Sequence, residues 1–300
     1  MGKPWLVTAL QVLGLAVKIP LSIGFTFGAF GFSGLGVVGC AWATLVVNLL
    51  MFACAAVLLR RAEVFRAAQV WARLEPVQWG QLRSFARLGG PGGLAVMIEV
   101  TSFTLMAVFI ARLGAAASAS HQIASSVTAV LYMLPLSMGL AASARISWHL
   151  GAGSAVLASH AVYISFGLLA SVSIALAAII FIAPTAIAQL YSTDMQVVAL
   201  SAQLLPLVAL YHLMDAMQGL SGFLLRCYRV AVLPVVVYGL CLWGLGLGGG
   251  YWLTYQGLQL GPWHWPALQS PVGFWLAGIA ANCVVAVILG LLLTQRVRGS

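Results

Sequence analysis

Residues 89–114, GGPGGLAVMIEVTSFTLMAVFIARLG, form a long apolar run with one carboxylate, Glu99, near its middle. An α-helix of about 20 residues rises about 30 Å, the thickness of a bilayer's hydrocarbon layer, whereas a barrel strand needs only about 10. The run therefore reads as a membrane-spanning helix, and runs like it recur along the chain. Hydrophobic residues make up 62% of the 300 and charged residues 6%, with a mean hydropathy of +1.05. A soluble domain carries roughly 25% charged residues. The reading is an all-α, polytopic membrane protein.

Eight spans can be marked, at 5–28, 36–59, 90–112, 119–144, 157–183, 198–224, 231–253 and 272–293. Gly, Pro and Arg punctuate them. With an even number of spans, both termini share one side of the membrane. If that side is the cytoplasm, it receives Lys3, Arg60, Arg61, Arg66, Arg73, Arg83, Arg87, Arg145, Arg226, Arg229, Arg296 and Arg298, twelve of the fourteen basic residues. This is the pattern of the positive-inside rule, and it makes the net charge of +9 a topology signal. The arginines lie between apolar runs and not on one soluble face, which argues against nucleic acid as a partner; the partner is the lipid bilayer.

Residues 1–59 hold two spans, 60–88 form a long cytoplasmic connection, and 89–300 hold six spans. The connection carries Val64, Phe65, Ala68, Trp71 and Leu74 at helical spacing among arginines, as an interfacial amphipathic helix does. The segment YWLTYQGLQLGPWHWPALQSP, residues 251–271, is rich in Trp and Tyr, as expected at headgroup level. A sparse repeat pairs Gly39, Ala43 and Asn48 of the second span with Gly273, Ala277 and Asn282 of the eighth, at an offset of 234. If both bundles are built alike, four spans are expected upstream of Met1.

Five cysteines, Cys40, Cys54, Cys227, Cys241 and Cys283, give neither a disulfide framework nor C-x-x-C metal spacing. Of five acids, Glu63 and Glu75 fall in the linker, Asp194 in an outer loop, and Glu99 and Asp215 inside spans. The last two lie about eleven and nine residues from the cytoplasmic ends of their spans, or roughly 16 and 14 Å deep. A carboxylate there costs at least about 2.5 kcal/mol, so it faces a bundle interior or an aqueous cavity and marks an ion or proton path. Tyr211 shares a helix face with Asp215, and Tyr132 is a hydroxyl aromatic in the middle of the fourth span. Together the four can hold a hard cation or a proton. Thr101, Ser102 and Ser221 are the competing, purely structural partners for the acids. Lys18, next to Ile19 and Pro20 within the first span, is a candidate cavity residue. No nucleophile, base and orienter stand together in a water-accessible loop, and no cofactor motif is present, so the chain reads as no enzyme.

The progression Gly90-Pro91, Glu99, Leu113-Gly114, Ser120-His121-Gln122-Ile123, Pro135-Leu136-Ser137 and Leu150-Gly151-Ala152-Gly153 resembles the second half of the multidrug and toxic compound extrusion (MATE) transporters. LYHLMDAMQGLSGFLLRCYR, residues 210–229, is similar to the family's Asp-Ala-x-Gln segment. The resemblance implies two six-helix lobes, of which this chain would hold the last two helices of one and all of the other. It also implies export of small organic cations in exchange for Na+ or H+, in the bacterial inner membrane. Glu99 and Asp215, with Tyr211 and Tyr132 at matching positions, would be the coupling-ion site. The alternatives are a lipid-linked oligosaccharide flippase of the same superfamily and an intramembrane enzyme with Glu99 and Asp215 as acid and base. The topology is checked by cysteine labelling in a variant without native cysteines: a cysteine at Gly257 should react with an impermeant maleimide added outside intact cells. Labelling from the cytoplasmic side alone would overturn the eight-span reading.

Overall fold

The computed structural model describes residues 4–28, 34–61, 77–260 and 263–299. The described residues include eight helices long and apolar enough to cross a membrane. They fall into two compact units, Met1–Gln78 and Trp79–Ser300. Glu63, Glu75 and the amphipathic stripe of the linker lie outside the described residues.

The first unit is a helical hairpin of α1 (Pro4–Phe27) and α2 (Val37–Arg61). Leu35 N–H donates to the Phe25 carbonyl at 2.8 Å, which closes the turn. Gly39 then lies against the Phe25 carbonyl, where a Cβ would collide with backbone. Ala43 and Val47 continue that face and are buried.

The second unit holds α3 (Trp79–Ala111), α4 (Ala115–Gly151), α5 (Ala155–Ile182), the short α6 (Pro184–Gln189), α7 (Met195–Cys227), α8 (Val232–Gln256) and α9 (Val272–Arg298). Helix α3 starts at Trp79, about ten residues before the expected span, and so takes in the last part of the 60–88 connection. The sequence GGPGG suggests a break, yet the helix continues through Pro91. A proline forfeits one hydrogen bond, a loss that neighbouring helices and local adjustments absorb within a membrane bundle. Pro135 and Pro206 likewise sit inside α4 and α7. Asp194, read as a loop acid, caps α7, its Oδ1 accepting from the Gln196 amide at 2.8 Å. Between α8 and α9 stands a small antiparallel hairpin, β1 (Leu258–Leu260) and β2 (Trp263–Trp265), with Gln259 opposite His264.

Helix α7 is the hub, packing on α4, α5, α6 and α9. Its apolar residues serve two cores. Leu204, Leu205 and Val208 join Ile110, Phe274 and Trp275 in one; Leu220, Leu224 and Leu225 join Ile146, Leu169 and Leu289 in the other. Asp215 falls between them. The outward surface is apolar too, with Val130, Ile164 and Ile182 more than two-thirds exposed, as a lipid-facing belt requires.

Close approach depends on small residues. Helix α8 turns with wider, i→i−5 bonding over Gly239–Gly248 and Trp252–Gln256. Its Gly246, Gly249 and Gly250 meet Ala281, Ala277 and Phe274 of α9. Gly273 of α9 abuts Thr254 of α8, much as Gly39 abuts α1. On α4, a Cβ at Gly139 would stand 2.5 Å from Phe223 Cδ2 and 3.1 Å from its Cβ. Gly139→Ala should therefore lower the thermal unfolding temperature in detergent, at a cost of about 1–3 kcal/mol for overpacking. An unchanged temperature would show that Phe223 swings aside freely.

Candidate functional site

Val96, Glu99, Val100, Phe103, Thr104 and Ala107 stand on one face of α3, because their spacing of three and four residues returns each to the same side. His121, Gln122, Ser125, Ser126, Thr128, Ala129, Tyr132 and Met133 form a broader face on α4, and Tyr211 and Asp215 stand one turn apart on α7. These three faces line one cavity of about 590 Å³. The four residues expected from sequence, Glu99, Tyr132, Tyr211 and Asp215, all border it.

Their surroundings differ. Asp215 is 3% exposed, and Gln218, one turn further on, donates from Nε2 to its Oδ1 at 3.0 Å. The same amide adjoins Glu99, which is half-buried on the opposite wall. Each carboxylate lies within electrostatic range of the other, as does the Arg226 guanidinium of Glu99. A low-dielectric setting strengthens both effects. Thr101, Ser102 and Ser221 do not bond the acids. Their hydroxyls donate to the backbone carbonyls of Met97, Leu242 and Met217, at 2.6, 3.3 and 2.8 Å. In an apolar helix an i−4 carbonyl is the nearest acceptor, and two of these three take it.

An aromatic cluster closes the cavity beside Tyr211. Trp275 lies 5.5 Å from Tyr211, 5.8 Å from His121 and 5.9 Å from Phe103, centroid to centroid, so α3, α4, α7 and α9 each contribute one ring. His121 is 2% exposed, with Ser125 Oγ 3.3 Å from its Nε2. Tyr238 of α8 is buried within electrostatic range of both acids, and its hydroxyl crowds Gly222, where a Cβ would stand 2.9 Å away. Asn282 of α9 adjoins Tyr211 at 1% exposure, and neither its Oδ1 nor its Nδ2 has a hydrogen-bond partner among the described residues.

Gln218, Tyr238 and Asn282 were not among the expected site residues. Asn282 had a signal, as the polar member of the Gly-Ala-Asn repeat. Gln218 had one too, being one turn from Asp215. Tyr238 had none, since its approach depends on how α8 packs against α7. Lys18 belongs to α1 of the first unit, where its side chain is exposed; the cavity is built by the second unit alone.

Two carboxyl groups and two phenols around a cavity whose lining also carries hydroxyls and the Gln122 amide can hold a hard cation or a proton, and the rings can stack against an organic cation. Comparison with known proteins bears on the chain's family and fold. Residues 91–252 match the family MatE. Over 296 residues the chain is 33% identical to a "Probable multidrug resistance protein NorM" of Aromatoleum aromaticum, covering 98% of this chain and 62% of that one. It is 32% identical over 280 residues to "Multidrug resistance protein MdtK" of Proteus mirabilis, covering 93% and 60%. The fold superposes on the crystal structure of the eukaryotic MATE transporter AtDTX14 with a TM-score of 0.83 at 23% identity, covering 97% of this chain and 63% of that one. The chain thus spans about three-fifths of the length of the curated relatives it matches.

The Gln218–Asp215 bond can be tested directly. Gln218→Leu keeps the side chain's bulk but removes the donor to a buried acceptor, so the unfolding temperature should fall by the equivalent of about 1–3 kcal/mol. Membrane insertion should be unaltered. A variant as stable as the wild type would show that Asp215 does not depend on that amide.

Proposed function

The chain belongs to the MatE family, and we propose that it serves secondary antiport of small organic cations against Na+ or H+, with Glu99 and Asp215 as the coupling-ion site. One observation carries the proposal: the two carboxylates of α3 and α7 face a single cavity bordered by the phenols Tyr132 and Tyr211. The cavity's lining carries two acids and, among the described residues, no Lys or Arg. That favours a cationic substrate over the phosphate-bearing lipid of a flippase. Relatives named as multidrug resistance proteins support the same substrate class.

The chemistry follows from charge. Two carboxylates facing one cavity in a low-dielectric bundle repel each other and attract any cation that fits. Na+ would be met by carboxylate and phenol oxygens, its preferred hard donors; a proton would be held on a carboxyl oxygen directly. A cavity of about 590 Å³ falls in the range of drug-sized sites, about 300–1,000 Å³. A lipophilic cation would place its charge near Glu99 and its flat surface against Phe103 and Tyr211. Ion and drug then compete for the same two negative charges, so loading one releases the other, which is the thermodynamic core of exchange. Asn282, 1% exposed beside Tyr211, adds a polar group next to one of the two phenols.

The proposed setting is the bacterial inner membrane with both termini cytoplasmic, as the arginine distribution supports. The test is equilibrium binding of radiolabelled tetraphenylphosphonium to the purified chain. Added Na+ at fixed pH, or lowered pH at fixed Na+, should displace the cation, and whichever does so identifies the coupling ion. Glu99→Gln and Asp215→Asn should each weaken its binding by about 10- to 100-fold, the scale of a coupling of 1–3 kcal/mol. Wild-type binding and displacement in both variants would refute the assignment.

A further inference from the structure

At the end of the bundle where α7 finishes and α8 begins, a second cavity of about 650 Å³ is lined by three arginines from three elements: Arg87 of α3, Arg229 of the α7–α8 turn and Arg296 near the end of α9. No acidic side chain lines it among the described residues. Three cations around one space repel one another unless an anion enters between them. Apart from Ser84 the remaining wall is apolar. Val230, Ala231, Val232 and Leu233 lead from the turn into the membrane-spanning part of α8, and Val232 and Leu233 are 63% and 44% exposed.

Arg229 holds its place at a conformational cost. Tyr228 ends α7, and the Val230 amide donates back to Leu225 O at 3.0 Å while the Arg229 amide donates to Arg226 O at 3.0 Å. This pair of bonds is the Schellman closure of a helix, which puts the residue after the cap in the left-handed region and there favours glycine. Arg229 has a φ of +59°. Its side chain resists that geometry, and a glycine would relieve it. With this backbone geometry Arg229 lines the cavity together with Arg87 and Arg296.

We propose that this cavity binds the phosphate of an anionic phospholipid, its acyl chains lying along Val232 and Leu233. Guanidinium forks match phosphate oxygens in pairs, and basic pockets between membrane helices suit such headgroups. The apolar rim selects an amphiphile over a soluble anion. The site is separate from the carboxylate cavity and carries the opposite charge.

The experiment is native mass spectrometry of the purified, delipidated chain titrated with phosphatidylglycerol, with phosphatidylcholine as the zwitterionic control and inorganic phosphate as competitor. Phosphatidylglycerol should be retained in preference to phosphatidylcholine. Each arginine removed should weaken it by about fivefold, and the triple variant Arg87→Gln, Arg229→Gly, Arg296→Gln by on the order of 100-fold. Arg229→Gly alone gives a signature that a merely structural arginine would not: an unfolding temperature in lipid-free detergent equal to or above the wild type's, together with weaker lipid retention. Equal retention by the wild type and Arg229→Gly, or by the wild type and the triple variant, would overturn the proposal. So would equal retention of both lipids, or full displacement of phosphatidylglycerol by equimolar phosphate, which would make this a site for soluble anions.

Discussion

A carboxylate buried in a membrane bundle cannot be left to solvent, and the second unit is organised around meeting that demand for Asp215. The residue lies on the most central helix, at 3% exposure, and its charge is met by the amide of Gln218. Bringing polar partners from α8 and α9 up to α7 requires backbones to approach closely. Gly222 admits the Tyr238 hydroxyl, and Gly278 admits the ring of Tyr211, whose Cε2 would stand 3.3 Å from an added Cβ. The glycines thus do electrostatic work indirectly, by letting polar side chains reach a site that bulkier residues would keep dry and unpaired.

The apolar cores divide along the same line. Leu204, Leu205 and Val208 anchor α7 on one side of Asp215, and Leu220, Leu224 and Leu225 on the other. Both stretches pack tightly, so the acid is held by the rigidity of its helix. Glu99 differs: it sits half-buried on α3, at the cavity wall. One acid is fixed and the other is accessible. Glu99 is thus the more exposed of the two acids that border the cavity.

The fold was legible because lipid imposes simple rules. Long apolar runs must be helices, and arginines gather on one side, so the count of eight needed no knowledge of packing. Boundaries were less legible. GGPGG at 89–93 carries the residues that end helices in water, yet α3 runs through it from Trp79, since a bundle tolerates proline where water does not. The site was legible to the extent that charge is rare: Glu99 and Asp215 stand out in a chain with five acids. Tyr238 did not, being one of eight tyrosines, and only the packing of α8 distinguishes it. The hydroxyls of Thr101, Ser102 and Ser221, the competing partners for the acids, bond backbone carbonyls instead. Sequence places them near the acids, but Thr101 and Ser221 turn to carbonyls of their own helix and Ser102 to the Leu242 carbonyl of α8.

The distribution of charge in the second unit has a further consequence. Its deep acids sit in a cavity midway along the helices, and Arg87, Arg229 and Arg296 gather at one end of the bundle. Helix α7 joins the two regions, with Asp215 in its middle and Arg226 in its last turn. Along that one helix the local potential changes sign within about three turns, or roughly 16 Å, and low dielectric on either side limits screening. A cation in the cavity and an anion at the arginines would each be attracted by a charge the other does not touch. Binding at one end also lowers the cost of charge at the other, because Arg226 lies within electrostatic range of Glu99. An anion near the end of α7 would offset part of that arginine's field, leaving the carboxylates more negative and the cation more tightly held.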